Sequence, residues 1–361
     1  MRWAAHAALL GVLLSVLAVA TPTPIWPTDK DFYLRIGREF LIPGCSDIHC
    51  FRVLVPWVIE RLPGTSIVWW KAYAVACETA AAVVMGMMVV RMGATARVGT
   101  QVMWLTAFGY GSCYTLFDPH TSDPLIHLLA PALMLLLLSG RTLHAGVLAA
   151  IGIFAKEFAV APVAIFGMWR ALQGQRAEAV RSIVVASIVG LTWAAWQLGL
   201  RSMLDYSHAA TTNEILGGGH VYLLFWLRKV GPALALASVV LSLGVLWVLW
   251  PAGFVWGPRE VRQLTLAATP AIVVLCAMQQ PDRALWNFAF IIMPAVAVVL
   301  NRISASLGWF LVAAHLVANL RVGAQLSFVP PARVTLTTAA LVALAAIWAA
   351  RATHRRPAVT A

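Results

Sequence analysis

Residues 66–90, SIVWWKAYAVACETAAAVVMGMMVV, form a long apolar stretch with only two charged side chains, Lys71 and Glu78. An apolar run of roughly 18 or more residues can cross the hydrocarbon core of a bilayer as one helix. Similar runs recur along the whole chain, and none has the strict alternation of a membrane-spanning strand. Because a helix satisfies its own backbone hydrogen bonds in lipid, the pattern predicts an all-α, polytopic membrane bundle.

The composition agrees with this interpretation. Of the 361 residues, 61% are hydrophobic and 11% are charged, and the mean hydropathy is +0.82. Soluble domains carry about 25% charged residues and could not bury this much apolar surface. Although the length would allow two soluble domains, the even spread of apolar runs predicts a single multi-pass transmembrane domain over residues 1–361.

The apolar runs predict about ten spans. The first resembles a secretory signal that ends at Ala18-Val19-Ala20, but because further spans follow we expect it to be retained. Retained or cleaved, it sends the next loop to the far side of the membrane. The predicted spans lie near residues 4–20, 66–90, 102–116, 124–139, 182–200, 231–256, 264–278, 285–300, 305–320 and 335–350.

Residues 144–169 are apolar except for Lys156 and Glu157 at their middle. As one helix they would be ~39 Å long, whereas each half would be ~18 Å, too short for a ~30 Å hydrocarbon core. We therefore expect a half-membrane hairpin that enters from the inside. A single crossing is the alternative, and it would invert every later loop.

The net charge is +12, from 26 Lys and Arg against 14 Asp and Glu. The basic residues lie between spans, so membrane topology and anionic headgroups explain them better than nucleic acid, for which the chain has no motif. With the hairpin, half of the basic residues fall in short inside loops beside only two acids, Glu178 and Glu260. This density predicts cytoplasmic termini in a plasma (inner) membrane.

Two of the five cysteines lie in the first polar loop, as CSDIHC over residues 45–50. A disulfide between Cys45 and Cys50 is expected if this loop faces an oxidising compartment. A metal site formed by these cysteines with Asp47 and His49 is the alternative, although its spacing matches no standard metal motif.

On this topology the polar residues gather at the outer face. Such a gathering predicts a site open to that face, since ionisable groups at membrane depth are costly and usually functional. Its members are Asp29 and Asp31 after the first span, Asp118, His120 and Asp123 in the turn FDPHTSDP, Lys156 and Glu157 at the hairpin tip, and Asp282 and Arg283 in QQPDRALW.

The stretch DKDFYLRIGREF, over residues 29–40, resembles the D-x-x-W-Y-L-x-I-A pattern of glycosylphosphatidylinositol mannosyltransferases, with Phe32 in place of Trp and Gly37 in place of Ala. FRVLVPWV, from Phe51 to Val58, is similar to the proline-containing segment that follows there. Both patterns belong to the GT-C superfamily of polyprenyl-phosphate-sugar-dependent glycosyltransferases. The resemblance implies a GT-C-like bundle in which an acid of the first outside loop is the catalytic base.

By this resemblance the chain would move a hexose, such as mannose, from a polyprenyl-phosphate carrier within the bilayer to a glycan or lipid acceptor outside the cytoplasm. Such transfer needs a carboxylate to take the acceptor proton and cations to hold the leaving phosphate. Asp29, Asp31 and Asp118 are the predicted catalytic residues. The predicted substrate-binding residues are Tyr33, His120, Asp123, Lys156, Glu157, Asp282 and Arg283, with Lys156 and Arg283 for the phosphate.

No metal ligands are assigned, and a divalent cation is the single candidate cofactor. Other functions stay open: a transporter or lipid flippase, another membrane transferase, or an assembly subunit. Structural explanations of single residues also stay open. Asp123 precedes Pro124 and suits a helix cap, Lys156 could pair with Glu157, and Glu78 could serve a hydrogen bond inside the bundle.

Overall fold

The computed structural model describes residues 2–24, 29–207, 227, 231–278 and 281–354, and inside its helices it leaves out the side chains of residues 2, 238, 277–278, 281–283 and 354. Over these ranges every regular element is a helix and none is a strand, so the all-α prediction is confirmed. Three consecutive glycines, Gly217 to Gly219, predict a mobile loop, and they lie outside the described residues.

The described chain contains 3-10 turns at Ile48–Phe51 and Glu157–Val160 and a series of α-helices. In chain order the helices are α1 Arg2–Ala20, α2 Lys30–Glu39, α3 Leu54–Ile59, α4 Ser66–Arg91, α5 Ala96–Ala107, α6 Tyr110–Phe117, α7 Asp123–Leu138, α8 Thr142–Gly152, α9 Ala161–Leu172, α10 Arg176–Leu204, α11 Pro232–Leu243, α12 Leu246–Trp256, α13 Arg259–Met278, α14 Pro281–Trp286, α15 Ala289–Arg302, α16 Ala305–Val322 and α17 Ala332–His354.

Five of the described helices, α1, α4, α10, α16 and α17, are long and apolar enough to cross a membrane. The pair α11 and α12, bent by 63° at its break, would make a sixth span. Several other predicted spans are shorter or broken. The run 102–116, for example, is interrupted between α5 and α6 at Gly109, where a side chain would overlap the indole of Trp286. The length and apolar composition of these helices indicate a helical membrane protein, and the count of spans stays a prediction.

The core is built by pairwise packing of helices, with α4 against α5 and α7, α9 against α10, α12 against α15, and α16 against α17. One cluster of buried apolar side chains runs from Met85 in α4 through Leu133 in α7 to Ile291 in α15 and Ala343 in α17. Large apolar side chains such as Leu191 in α10 lie exposed on the outside, as expected for a surface that faces lipid.

Residues 144–169 are not one helix. Helix α8 ends at Gly152, Lys156 has an extended backbone, and α9 begins at Ala161 after a 3-10 turn. The prediction of two short helices that meet near Lys156 is therefore confirmed. The tip between them contacts the first polar loop, where the backbone N–H of Leu54 donates to the carbonyl oxygen of Phe154 at 3.0 Å.

The first polar loop folds against the bundle. Helix α2 buries Tyr33, Ile36 and Gly37 and leaves its other side exposed, as an amphipathic surface helix should. A side chain at Gly37 would overlap Glu60 and the carbonyl of Pro56, so glycine is needed for α2 to lie this close to α3.

Candidate functional site

Three segments meet at the end of the bundle where α4 and α7 begin: the loop that carries α2, the turn between α6 and α7, and the tip between α8 and α9. Their polar side chains form the candidate site, which consists of Asp29, Tyr33, His49, Arg52, His120, Asp123, Lys156 and Glu157. The structure thus brings together most of the residues that the sequence predicted for it.

Lys156 and Asp123 form a buried ion pair with a distance of 2.5 Å between Nζ and Oδ1. Lys156 is only 4% exposed and Asp123 6%. Ser122 occupies the position that precedes α7, and its side chain caps nothing, so the interpretation of Asp123 as a helix cap was wrong. The carboxylate of Asp123 instead pairs with Lys156, whose charge would otherwise lie uncompensated in a low-dielectric region.

Glu157 pairs with Arg52 of the first loop rather than serving as the structural partner of Lys156. The guanidinium donates from Nε to Oε2 at 3.1 Å and from Nη2 to Oε1 at 2.7 Å. Such a two-point contact is geometrically specific. Burial would lower the pKa of Arg52, but the charge of Glu157 and the neighbouring Tyr33 outweigh it and raise that pKa.

Sequence reasoning missed Arg52 as a site residue. The sequence does carry a signal for it, because Arg52 is the only charged residue in the apolar run FRVLVPWVI. Its side chain is 7% exposed, and its interaction joins residues 105 positions apart in the chain.

His49 lies between two carboxylates. Its Nδ1 is 2.5 Å from Oδ1 of Asp47, and its Nε2 is 3.3 Å from Oδ2 of Asp29. The same Asp47 carboxylate accepts the backbone N–H of His49 at 2.8 Å. Burial opposes protonation, but the hydrogen bonds to Asp29 and Asp47 outweigh it, and the pKa of His49 is raised.

Cys45 and Cys50 form the expected disulfide, which closes the loop that carries Asp47 and His49. Their sulfurs are thereby unavailable as thiolate ligands, so the alternative metal site in CSDIHC was wrong. Among the residues that the structure describes, no three His, Cys, Asp or Glu side chains are grouped so that they could hold a metal ion.

Tyr33 occupies the middle of the site. It is 1% exposed, and its ring packs edge-on against the rings of His49 and Trp70 at centroid distances of 5.4 and 6.0 Å. Burial raises the pKa of Tyr33, Arg52 opposes this rise, and the charges of Asp29 and Asp123 add to it. The phenol therefore stays neutral, and a neutral phenol can both donate and accept a hydrogen bond.

His120 packs against Trp70 with the ring centroids 5.4 Å apart. Burial, and then the charge of Lys30, lower the pKa of His120 to about 4, although Glu60 and Asp31 oppose the shift. His120 is therefore neutral near pH 7 and can bind a polar ligand without adding a charge.

The three predicted catalytic acids differ in exposure. Asp29 precedes α2, with its side chain 32% exposed. Asp31 lies in the first turn of α2 and is exposed, whereas Asp118 follows α6 and is 6% exposed. Asp282 and Arg283 belong to α14, but their side chains lie outside the described part of the structure, so their predicted positions in the site are not tested.

Glu78 is separate from these pairs and fully buried in the middle of α4. It accepts hydrogen bonds from Ser112 at 2.7 Å and Thr115 at 3.0 Å, and its Oε1 lies 2.7 Å from Nδ1 of His127. This network agrees with the structural explanation of Glu78, in which its hydrogen bonds join α4, α6 and α7 inside the bundle.

No protein-family model matches the chain, and no curated protein is similar to it in sequence.

Proposed function

We propose that the chain is a GT-C-like membrane glycosyltransferase, which moves a hexose from a polyprenyl-phosphate carrier to a glycan or lipid acceptor outside the cytoplasm. The proposal rests on the meeting of two segments. The loop after α1, which carries the motif resemblance and the acids, is joined to the hairpin tip, which carries the charges at membrane depth, through Arg52 and Glu157 and through the backbone bond from Leu54 to Phe154.

In this proposal Asp29 is the base. Its carboxylate takes the proton of the acceptor hydroxyl as that oxygen attacks the anomeric carbon, while the bond from that carbon to the phosphate oxygen breaks and the polyprenyl phosphate leaves with the electron pair. Asp29 suits the role better than exposed Asp31, because His49 holds one of its oxygens and its side chain is only partly exposed. Asp118 is the alternative candidate for the catalytic base.

Lys156 and Arg52 supply the positive charge that the leaving phosphate requires. Each is now neutralised by a carboxylate, Asp123 or Glu157 respectively. We propose that the phosphate of the donor binds at these two cations. Arg283 keeps its predicted role as a further phosphate ligand.

The same proposal includes about ten spans, a hairpin that enters from the inside, a plasma (inner) membrane location and cytoplasmic termini. It places exposed Arg38 of α2 outside and exposed Arg176 of α10 inside. Cysteines introduced at Arg38 and Arg176 should then react with a membrane-impermeant maleimide from opposite sides. Labelling of both from the same side would contradict this topology.

The catalytic test measures transfer of labelled hexose from a polyprenyl-phosphate donor by membranes that contain each variant. Asp29→Asn should lower the rate by about 10²- to 10⁴-fold, because asparagine keeps the shape of the side chain but cannot take the proton. Lys156→Ala should instead weaken donor binding. Glu39→Gln is the matched control, since Glu39 is an exposed acid on α2 that pairs with Arg35 outside the site.

Full transfer by an Asp29→Asn, Asp31→Asn double variant would contradict the assignment of the base to this loop. A transporter or flippase, the main alternative, would instead move substrate across the membrane and form no glycosylated product in any variant.

A further inference from the structure

The short loop closed by Cys45 and Cys50 has a geometry that the motif resemblance does not explain. It places His49 between Asp47 and Asp29, so that a carboxylate lies at each ring nitrogen of the same imidazole. The side chain of His49 is 16% exposed, and its ring packs against the rings of Phe32 and Tyr33.

This arrangement specifies the protonation state of His49. A neutral imidazole has one N–H and one lone pair, so it can donate to only one of two carboxylates and must face the other with its lone pair. An imidazolium donates from both nitrogens. With Oδ1 of Asp47 at 2.5 Å and Oδ2 of Asp29 at 3.3 Å, only the charged form satisfies both contacts.

Arg52, the remaining charged neighbour, does not prevent His49 from being protonated. Arg52 follows the disulfide loop and opposes a positive charge on His49, as does burial. Two carboxylates face the ring directly, however, and Glu157 neutralises the guanidinium of Arg52 through two hydrogen bonds. Tyr33, the other titratable neighbour, is neutral.

We propose that His49 is a positioning residue for Asp29: as an imidazolium anchored by Asp47, it holds Asp29 ionised and fixes one of its oxygens. In the proposed reaction this ionised carboxylate takes the proton of the acceptor hydroxyl. This inference rests on the proposed function and adds to it a role for the disulfide, which restricts the backbone between Cys45 and Cys50 and so keeps Asp47 and His49 in register with α2.

The ionisation of His49 can be measured without any transfer assay. The full chain is labelled with ¹⁵N-histidine, placed in lipid nanodiscs and titrated by NMR. His49 should titrate above its ordinary value of 6.5. His49→Gln removes one histidine resonance and so assigns it. Asp47→Asn should lower the midpoint of that resonance, because it removes the anchoring charge. A midpoint for His49 at or below 6.5 overturns the proposal.

The role of His49 in the reaction is read from the pH dependence of transfer. An opposite charge within hydrogen-bonding distance lowers a carboxyl pKa by 1–3 units, so in His49→Gln the acidic limb of the rate profile should move up by about one unit, which is about tenfold less transfer on that limb. The donor KM should be unchanged, since His49 does not bind the phosphate. A purely structural histidine would leave the limb in place, and that result overturns the proposal.

The two proposals fail in different ways. If the wild-type chain transfers sugar while the midpoint of His49 lies at or below 6.5, this inference is wrong and the proposed function stands. If the wild-type chain transfers no sugar from any polyprenyl-phosphate donor, the proposed function is wrong, and the role of His49 in that reaction falls with it.

Discussion

The ion pair between Arg52 and Glu157 offers the sharpest test of the arrangement at the hairpin tip. It is a charged side-chain contact that links the loop after α1 to the tip between α8 and α9. We consider the variant Glu157→Gln, which keeps the size of the side chain and removes its charge. Arg52 then keeps a full positive charge at a position where its side chain is only 7% exposed.

The expected cost follows from burial and distance. Two unit charges about 4 Å apart attract by about 4 kcal/mol at an effective dielectric constant of 20. Because the side chain of Glu157 is 25% exposed, water screens part of this attraction. Removing one member of a buried pair typically costs about 3 kcal/mol or more, since the other charge remains without compensation. We expect Glu157→Gln to lower the free energy of unfolding by about 3 kcal/mol.

Replacing both partners should cost much less. In Arg52→Met, Glu157→Leu neither charge of this pair is left, and apolar side chains of similar volume often replace a buried pair with little loss. The double variant should therefore be more stable than Glu157→Gln alone. The free energies are measured by SDS-induced unfolding from mixed micelles, followed by tryptophan fluorescence.

The matched control is the pair Arg35 and Glu39, in which both side chains are about half exposed, at 58% and 47%. Exposed pairs on a helix contribute about 0.3–0.5 kcal/mol, so Glu39→Gln should change little. If Glu157→Gln costs no more than Glu39→Gln, or if the double variant is less stable than Glu157→Gln, the structural argument for this pair is refuted.

Two further predictions concern packing and pH. A side chain at Gly111 would overlap the indole of buried Trp286, so Gly111→Ala should destabilise by about 1–3 kcal/mol in the same unfolding assay. Gly190→Ala in α10 is its control, because a Cβ there meets nothing within 4 Å, and equal effects would contradict the argument. The pKa of His120 is lowered from 6.5 to about 4 in the folded chain. Between these values the unfolded chain therefore binds more protons, so stability should fall as the pH drops through this window. His120→Asn should reduce that fall in a melting-temperature series from pH 7 to 4, and an unchanged slope would contradict the shift.

The sequence alone determined the class of the protein and some of its local breaks. Apolar runs of bilayer length require helices, because lipid offers no hydrogen-bond partner to an open backbone. The charges of Lys156 and Glu157 marked the break between α8 and α9, because a continuous apolar helix would carry them into the hydrocarbon. The short spacing of Cys45 and Cys50 allowed their pairing to be predicted within one loop.

Only the tertiary structure decided which charges pair. Lys156 and Glu157 are adjacent in the chain, yet their partners lie 33 and 105 residues away, in Asp123 and Arg52. Coulomb attraction has no sequence period, so two cations and two carboxylates can pair in more than one way until the packing of helices fixes the direction of each side chain. For the same reason the contact between Asp29 and His49 could not be predicted, because no helical or strand pattern positions the loop that carries His49.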